Sequence, residues 1–332
     1  MRPTLNDFLR SDNLRRVSPA GAFYRYDTYG TSLAGAIIER ITGKTFAESM
    51  RQEMFVPLGM QNTFVEADED HLPRLAMGYE RIDGKNEAQP YEVYLTTPAS
   101  SIDATAADMG RLLEALTGDG SNHHGRLFSA MMAEAVRGRQ YYPHPEFPGV
   151  THGLHESYDV GGKFERPIRS IDHGGVMAGF RSLLTILPDY KLGVFVTTNT
   201  SGVSRRNELA AAVMRAIVDQ LPPSPMRHPF TVPSPDSTRD LSEYEGVYSY
   251  GVFCHSCTPT EFAEGAWTPG PPVEIRVTDG ALSIGDRAFT ARESDVFVRD
   301  DGLQKVFFGR DDADAIQFFT YSTSNDAFER VG

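Results

Sequence analysis

Between Leu221 and Asp240 the chain reads LPPSPMRHPFTVPSPDSTRD, with six prolines in 20 residues. Proline lacks a backbone donor and locks φ, so neither a helix interior nor a central strand runs through such a span. A segment of this kind is an extended and rather stiff linker. Folding must therefore proceed on either side of it. The expected organisation is one unit over residues 1–220, a linker over 221–240, and a second unit over 241–332.

The two sides carry different periodicities. In TSLAGAIIERIT, Leu33, Ile37, Ile38 and Ile41 share a helical face, and Gly43 ends the helix. Thr45 and Glu48 form a capping box that opens a second helix, which must stop before Pro57. Thr105 opens a third, with Met109, Leu112, Leu113 and Leu116 as its apolar stripe and Gly118 as its stop. All three stripes are expected to face a core. Residues 179–187 and 192–198 read as strands joined by the turn Pro188-Asp189-Tyr190-Lys191, an antiparallel hairpin covered on both faces. A helix over 207–220 then carries Leu209, Val213 and Ile217 back over that sheet. The first unit is thus α+β, an antiparallel sheet flanked by helices. Beyond the linker only short strand-like runs occur: 273–277, 281–284, 296–299, 305–308 and 315–320. Asp279-Gly280 and Asp301-Gly302 supply hairpin turns, which predicts a small all-β, barrel-like domain.

Composition narrows the partners. A net charge of -13 excludes a nucleic-acid or anionic-membrane face of the usual basic kind. No apolar run approaches the ~20 residues of a membrane span. The N-terminal MRPTLNDFLRSDNLRR lacks the apolar centre of a signal peptide, so the chain as written is expected in the cytoplasm. Cys254 and Cys257 stand as CHSC in a loop-like context without a second ligand pair. They read as incidental thiols or a local disulfide rather than a metal or redox centre. No metal and no cofactor is expected.

Two patches depart from core logic. Tyr24-Arg25-Tyr26-Asp27-Thr28-Tyr29-Gly30 places three tyrosines at a helix start. Asp27 or Thr28 can simply cap that helix, or a tyrosine there can serve as general base or acid. In IDHGGVMAGF, His173 precedes Gly174 and Gly175 on a strand. A glycine pair inside a strand marks a bulge, a bend or a close approach by backbone or ligand, and a strand-edge histidine can be purely structural.

In this order the two patches resemble the β-lactamase-related serine hydrolases: class C β-lactamases, DD-peptidases and esterases on the same fold. The resemblance runs from about Leu5 to Gly202. It is carried by Tyr26-Asp27-Thr28, GAIIERITGKTF, FVPLGMQNTF, TPASSIDATAADMGRLLEAL and DHGGVMAGFRSLLTILPDYKLGVFVTTN. The resemblance implies that Tyr26 is the catalytic general base and acid and His173 the polar residue of the third motif. Thr28 and Gly175 would bind substrate, and the Val176 N–H would be an oxyanion donor. It implies a small-molecule or peptide acyl substrate; oligomeric state is left open. Thr28 departs from the asparagine usual at its position.

A second departure is larger. The family's nucleophile is the serine of an S-x-x-K several dozen residues before the tyrosine. Here no serine has lysine three residues on, and 25 residues precede Tyr26. Three readings follow. The chain is an N-terminally truncated piece whose first motif lies upstream, which would also leave periplasmic or secreted placement open. It is a non-catalytic, penicillin-binding-like module. Or Ser100 or Ser101 substitutes as nucleophile. Truncation further predicts an uncovered sheet edge and exposed apolar surface.

Overall fold

A computed structural model describes residues 4–11, 21, 23–158, 168–201, 205–222, 239–250, 271–302, 304–324 and 326–331. Cys254, Cys257 and most of the proline-rich stretch lie outside the described residues. Seven α-helices are present among them: α1 (Leu5–Ser11), α2 (Thr28–Thr42), α3 (Phe46–Met50), α4 (Thr97–Ser100), α5 (Ala106–Thr117), α6 (Ala130–Arg137) and α7 (Arg206–Val218). The short strands β1 (Phe64–Val65), β2 (Gly78–Ile82), β3 (Lys85–Gln89) and β4 (Ile102–Asp103) lie among the helices. The central sheet is β5 (His155–Tyr158), β6 (Arg169–Met177), β7 (Phe180–Leu187) and β8 (Leu192–Thr198), antiparallel in that order. Strand β9 (Thr200–Ser201) leaves this sheet to pair with β2.

Local chemistry accounts for most boundaries. Thr45 and Glu48 complete the expected capping box on α3, and π-helical residues Arg51–Phe55 continue it. Thr105 accepts from the Asp108 N–H to start α5, and Gly118 follows its end. The β6–β7 turn requires Gly179, whose φ is +74° and whose added Cβ would lie 2.6 Å from the Gly78 backbone.

Helices α5 and α7 cover opposite faces of the sheet. Leu113 of α5 joins Ile171, Leu184 and Ile186 in one cluster. Met214 and Val218 of α7 join Ile168 and Leu187 in the other. Gly193 on β8 lets α5 approach, since a Cβ there would stand 2.7 Å from Leu113 Cδ2. Each fully buried aliphatic side chain contributes about 1.5–3 kcal/mol of burial free energy, enough to seat both helices.

Two expectations about burial are corrected. On α2, Leu33, Ile37, Ile38 and Ile41 are exposed, Ile41 by 79%. The face turned inward carries Tyr29, Ser32 and Gly35 instead. A Cβ at Gly35 would stand 2.3 Å from Pro98 Cγ, so only a small-residue face fits against α4 at that distance. On α7, Leu209, Val213 and Ile217 are likewise exposed, and Ala210, Ala211, Met214 and Val218 face the sheet. Both helices are apolar on more than one side, and the tighter-fitting side was taken. Strand β8 pairs only with β7 among the described residues, so its other edge is unpaired there.

The last eight strands close into an antiparallel barrel: β10 (Gly246–Tyr250), β11 (Val273–Thr278), β12 (Ala281–Ile284), β13 (Arg287–Glu293), β14 (Val296–Arg299), β15 (Lys305–Arg310), β16 (Ile316–Tyr321) and β17 (Ala327–Arg330). Asp279 and Gly280 both have positive φ, as a two-residue hairpin turn demands. Tyr244, Tyr248, Phe289, Phe297, Phe308 and Phe319 fill its interior. The barrel also touches the first part of the chain. Lys305 pairs with Glu146 in a buried contact, and Arg25 Nη2 lies 2.5 Å from Glu329 Oε1.

Candidate active site

The segment Phe23–Asp27 reaches α2 in extended form and is tied down at both ends. The Asp27 carboxylate accepts from the Tyr29 and Gly30 N–H groups and so caps α2. The adjacent Arg25 is held by Glu329 of the barrel. Between these anchors Tyr26 is 51% exposed, and among the described residues its hydroxyl makes no hydrogen bond. Tyr29 points elsewhere, buried and donating to the Leu9 carbonyl at 2.9 Å. Thr28 occupies the first helical position and is exposed.

Strand β6 brings His173 to this segment. The Tyr26 and His173 ring centroids are 6.0 Å apart. A third ring completes the group: His155 of β5 lies 5.5 Å from His173 and 6.1 Å from Tyr26. Its Nε2 is 2.8 Å from the Tyr24 hydroxyl. His155 has no sequence signal beyond its place in a short alternating run, and only strand pairing puts it opposite Asp172, next to His173.

Burial sets the proton affinities here. It lowers the pKa of His173 from the ordinary imidazole value. It lowers that of His155 too, with the neighbouring His173 adding to the effect and the Asp326 carboxylate opposing it. Burial also pushes the Tyr24 phenol upward, with Tyr26 and Asp326 reinforcing the shift. At neutral pH the cluster is therefore two neutral imidazoles beside a protonated Tyr24 phenol, and such rings can accept or pass a proton.

Strand β5 pairs with β6 only from Arg169 to Asp172. From His173 to Met177, β6 pairs with β7 alone among the described residues, which leaves its other edge open beside the rings. Arg206, the first residue of α7, donates through Nη1 to the Gly175 carbonyl at 2.6 Å and to the Ser182 carbonyl at 2.9 Å. Gly175 and Ser182 are direct partners across β6 and β7. One nitrogen can reach both oxygens only if both carbonyls turn inward between the strands. In a trans peptide the next N–H points the opposite way. The Val176 N–H therefore projects from the open edge, and Val176 itself is 61% exposed.

The glycine pair also has a packing reason. A Cβ at Gly174 would meet Arg206 Nη2 at 3.1 Å, and one at Gly175 would meet Ser182 Oγ at 2.4 Å. Of the serines considered as substitutes, Ser100 Oγ is bonded to Thr96. Ser101 Oγ is buried without a hydrogen-bond partner in the described residues, so no base stands ready to activate it. A cavity of about 340 Å³ near Glu39, Phe46 and Glu66 shares no lining residue with the ring cluster. No group of metal-ligating side chains occurs among the described residues, and none of their helices is long and apolar enough to cross a membrane.

An antiparallel sheet covered by helices on both faces has a counterpart in known proteins. The sequence profile of the beta-lactamase family matches residues 5–218, and the chain belongs to that family. Penicillin-binding protein 4 of Amycolatopsis lactamdurans is 24% identical over 240 residues, covering 69% of this chain. The chain spans 60% of the length of that relative. The crystal structure of SurE with D-Leu superposes with a TM-score of 0.60 at 18% identity, covering 100% of this chain and 74% of that one. A class C beta-lactamase superposes with a TM-score of 0.51 at 18% identity, covering 64% of this chain and 61% of the other. At these identities the two structures establish likeness of fold.

Proposed function

We propose that this protein is a serine-type acyl hydrolase that cleaves an ester, amide or β-lactam bond of a small-molecule or peptide substrate through an acyl-enzyme. The site lies in residues 1–220, with 241–332 as a second domain. What carries the reading is the meeting of Tyr26 and His173, 6.0 Å between ring centroids, beside the open edge of β6. In this scheme Tyr26 takes the proton of a serine hydroxyl as its oxygen attacks the acyl carbon. It then returns that proton to the leaving group as the bond breaks. The Val176 N–H meets the negative charge that develops on the carbonyl oxygen. Thr28 and Gly175 line the substrate's path, and His173 forms the polar wall facing Tyr26. Because the 332 residues contain no S-x-x-K, the scheme requires a serine and its lysine supplied from outside them.

That same observation favours a second reading, a non-catalytic penicillin-binding-like scaffold. Covalent labelling separates the two. The protein is expressed with the in-frame sequence upstream of Met1 and exposed to a fluorophosphonate and to a fluorescent penicillin. The hydrolase reading expects a label that disappears when an upstream S-x-x-K serine is replaced by alanine. Tyr26→Phe should slow labelling by about 10²–10⁴-fold, the usual worth of a general base. No label with Tyr26 intact, or no upstream S-x-x-K, leaves the scaffold.

A further inference from the structure

Arg206 breaks a local rule. A cation at the first position of a helix faces the positive end of the helix dipole and is disfavoured there. Among the described residues no carboxylate lies within salt-bridge distance of its guanidinium, whereas its neighbour Arg205 reaches Glu208 at 3.9 Å. Instead Arg206 spends its charge on two backbone carbonyls, those of Gly175 at 2.6 Å and Ser182 at 2.9 Å. Gly174 leaves room for it, since a Cβ there would come within 3.1 Å of Nη2. Local rules broken without an evident structural gain concentrate at functional sites.

The Gly175 carbonyl and the Val176 N–H belong to one peptide unit. A positive donor on that oxygen draws electron density through the conjugated amide and leaves the N–H on the far side a stronger donor. We propose that Arg206 is a positioning residue that polarises the Gly175–Val176 peptide, so that the outward Val176 N–H binds a developing oxyanion more strongly. This rests on the reading of Val176 given above. Arg206 touches no reacting atom; it acts from the face covered by α7, behind the strand. The same contact fixes the plane of that peptide, because its carbonyl is gripped while its opposite edge stays unpaired.

The size of the effect follows from two general figures. One oxyanion donor is worth about 10²–10³ in rate, and charge-assisted cooperativity strengthens a bond by about 10–30%. Taken as that fraction of the exponent, loss of Arg206 weakens anion binding at Val176 by about 2- to 8-fold.

The test needs no catalysis. The full chain is labelled with ¹⁵N and ¹³C, and the Val176 amide proton and Gly175 carbonyl carbon are followed by NMR. Phenylphosphonate is added as a non-covalent tetrahedral anion. Arg206→Met removes the donors and keeps most of the side-chain volume, Arg206→Lys keeps the charge with one donor group, and Arg205→Met controls for net charge. The expected result without ligand is an upfield move of both signals in R206M, a smaller one in R206K and none in R205M. With phenylphosphonate, affinity read at Val176 should fall about 2- to 8-fold in R206M, partly recover in R206K and stay near the unsubstituted value in R205M. Unchanged Gly175 and Val176 signals in both Arg206 variants would overturn the proposal. So would equal losses of affinity in R206M and R205M, since bulk charge would then suffice. Failure of phenylphosphonate to move Val176 in the unsubstituted protein refutes the oxyanion reading on which the proposal rests, whereas ligand-free Gly175 and Val176 signals that ignore Arg206 refute the polarisation itself.

Discussion

Gly175 offers a sharp test, because the obstacle to a side chain there is one oxygen atom. A Cβ built on Gly175 stands 2.4 Å from Ser182 Oγ but 3.7 Å from Ser182 Cβ. The second distance is an ordinary contact; the first is not. Gly175→Ala in the native background forces Ser182 off its rotamer or spreads the two strands, at a cost of about 1–3 kcal/mol. Alanine in place of glycine also removes freedom from the unfolded chain, a gain of about 0.4–1 kcal/mol where the backbone suits it. Gly175 is absent from the glycines with positive φ, so the backbone does suit it. In a Ser182→Ala background the clashing oxygen is gone, and the same substitution should become stabilising by about 0.4–1 kcal/mol. The sign of the effect should thus reverse, with a coupling energy of about 1–3 kcal/mol. Urea unfolding of the four proteins, followed by far-UV circular dichroism, measures the cycle. A coupling below about 0.5 kcal/mol, the range of independent sites, would refute the steric argument. The cycle also separates packing from chemistry. Under the proposed hydrolase reading, a stable G175A/S182A protein that carries an upstream S-x-x-K and labels more slowly with a fluorophosphonate than its S182A parent would place the methyl group in the substrate's path.

The buried imidazoles set a pH dependence. His155, His173 and His144 all have pKa values lowered by burial, so between the folded values and the ordinary ~6.5 the unfolded chain binds more protons. Stability then rises with pH and is lost as pH falls from about 6.5 through the folded values. Unfolding free energies measured from pH 7.5 to 5 should show this slope, and H155N/H173N should flatten it; an unchanged slope refutes the assignment. Glu156 is 1% exposed, and its two oxygens lie 2.5 Å from Arg139 Nε and 2.5 Å from Arg169 Nε. Burial raises its pKa, but hydrogen bonds from Arg169 and Arg139 outweigh that and hold it lowered. Glu156→Ala leaves two guanidinium groups without their shared partner and should cost about 3–5 kcal/mol in a melt or urea titration. A cost under about 1 kcal/mol, typical of exposed pairs, would show the cluster to be solvated.

Much of the architecture was legible because it is locally encoded. Thr45 with Glu48, Thr105 with Asp108, and Gly43 and Gly118 mark helix ends through hydrogen bonds made within a few residues. Asp279-Gly280 supplies its turn by backbone preference alone. The apolar stripes were legible as stripes, but not as core. Leu33, Ile37, Ile38 and Ile41 compete with Ser32 and Gly35 for the inside of α2, and periodicity cannot weigh a long side chain against close approach. Pro98 of the facing helix α4 settles that contest. The same holds for α7, where Ala210 and Met214 win the sheet from Leu209 and Val213.

Tyr26 and His173 stood out by residue type and order, but nothing local could say that their rings meet. His155 and Arg206 carried no such mark. One is a histidine in a short alternating strand, and the other an arginine at a helix start where a cation is unfavourable. Their roles arise from β5 pairing with β6 and from α7 folding back across the sheet, contacts between residues far apart along the chain. By itself the sequence determined many of the elements, several turns and the two glycines at 174 and 175, but not α6, β5 or the barrel strands β10, β13 and β17. Only the tertiary structure decided what occupies the space those glycines leave, because that depends on which distant groups, Arg206 and Ser182, are packed against them.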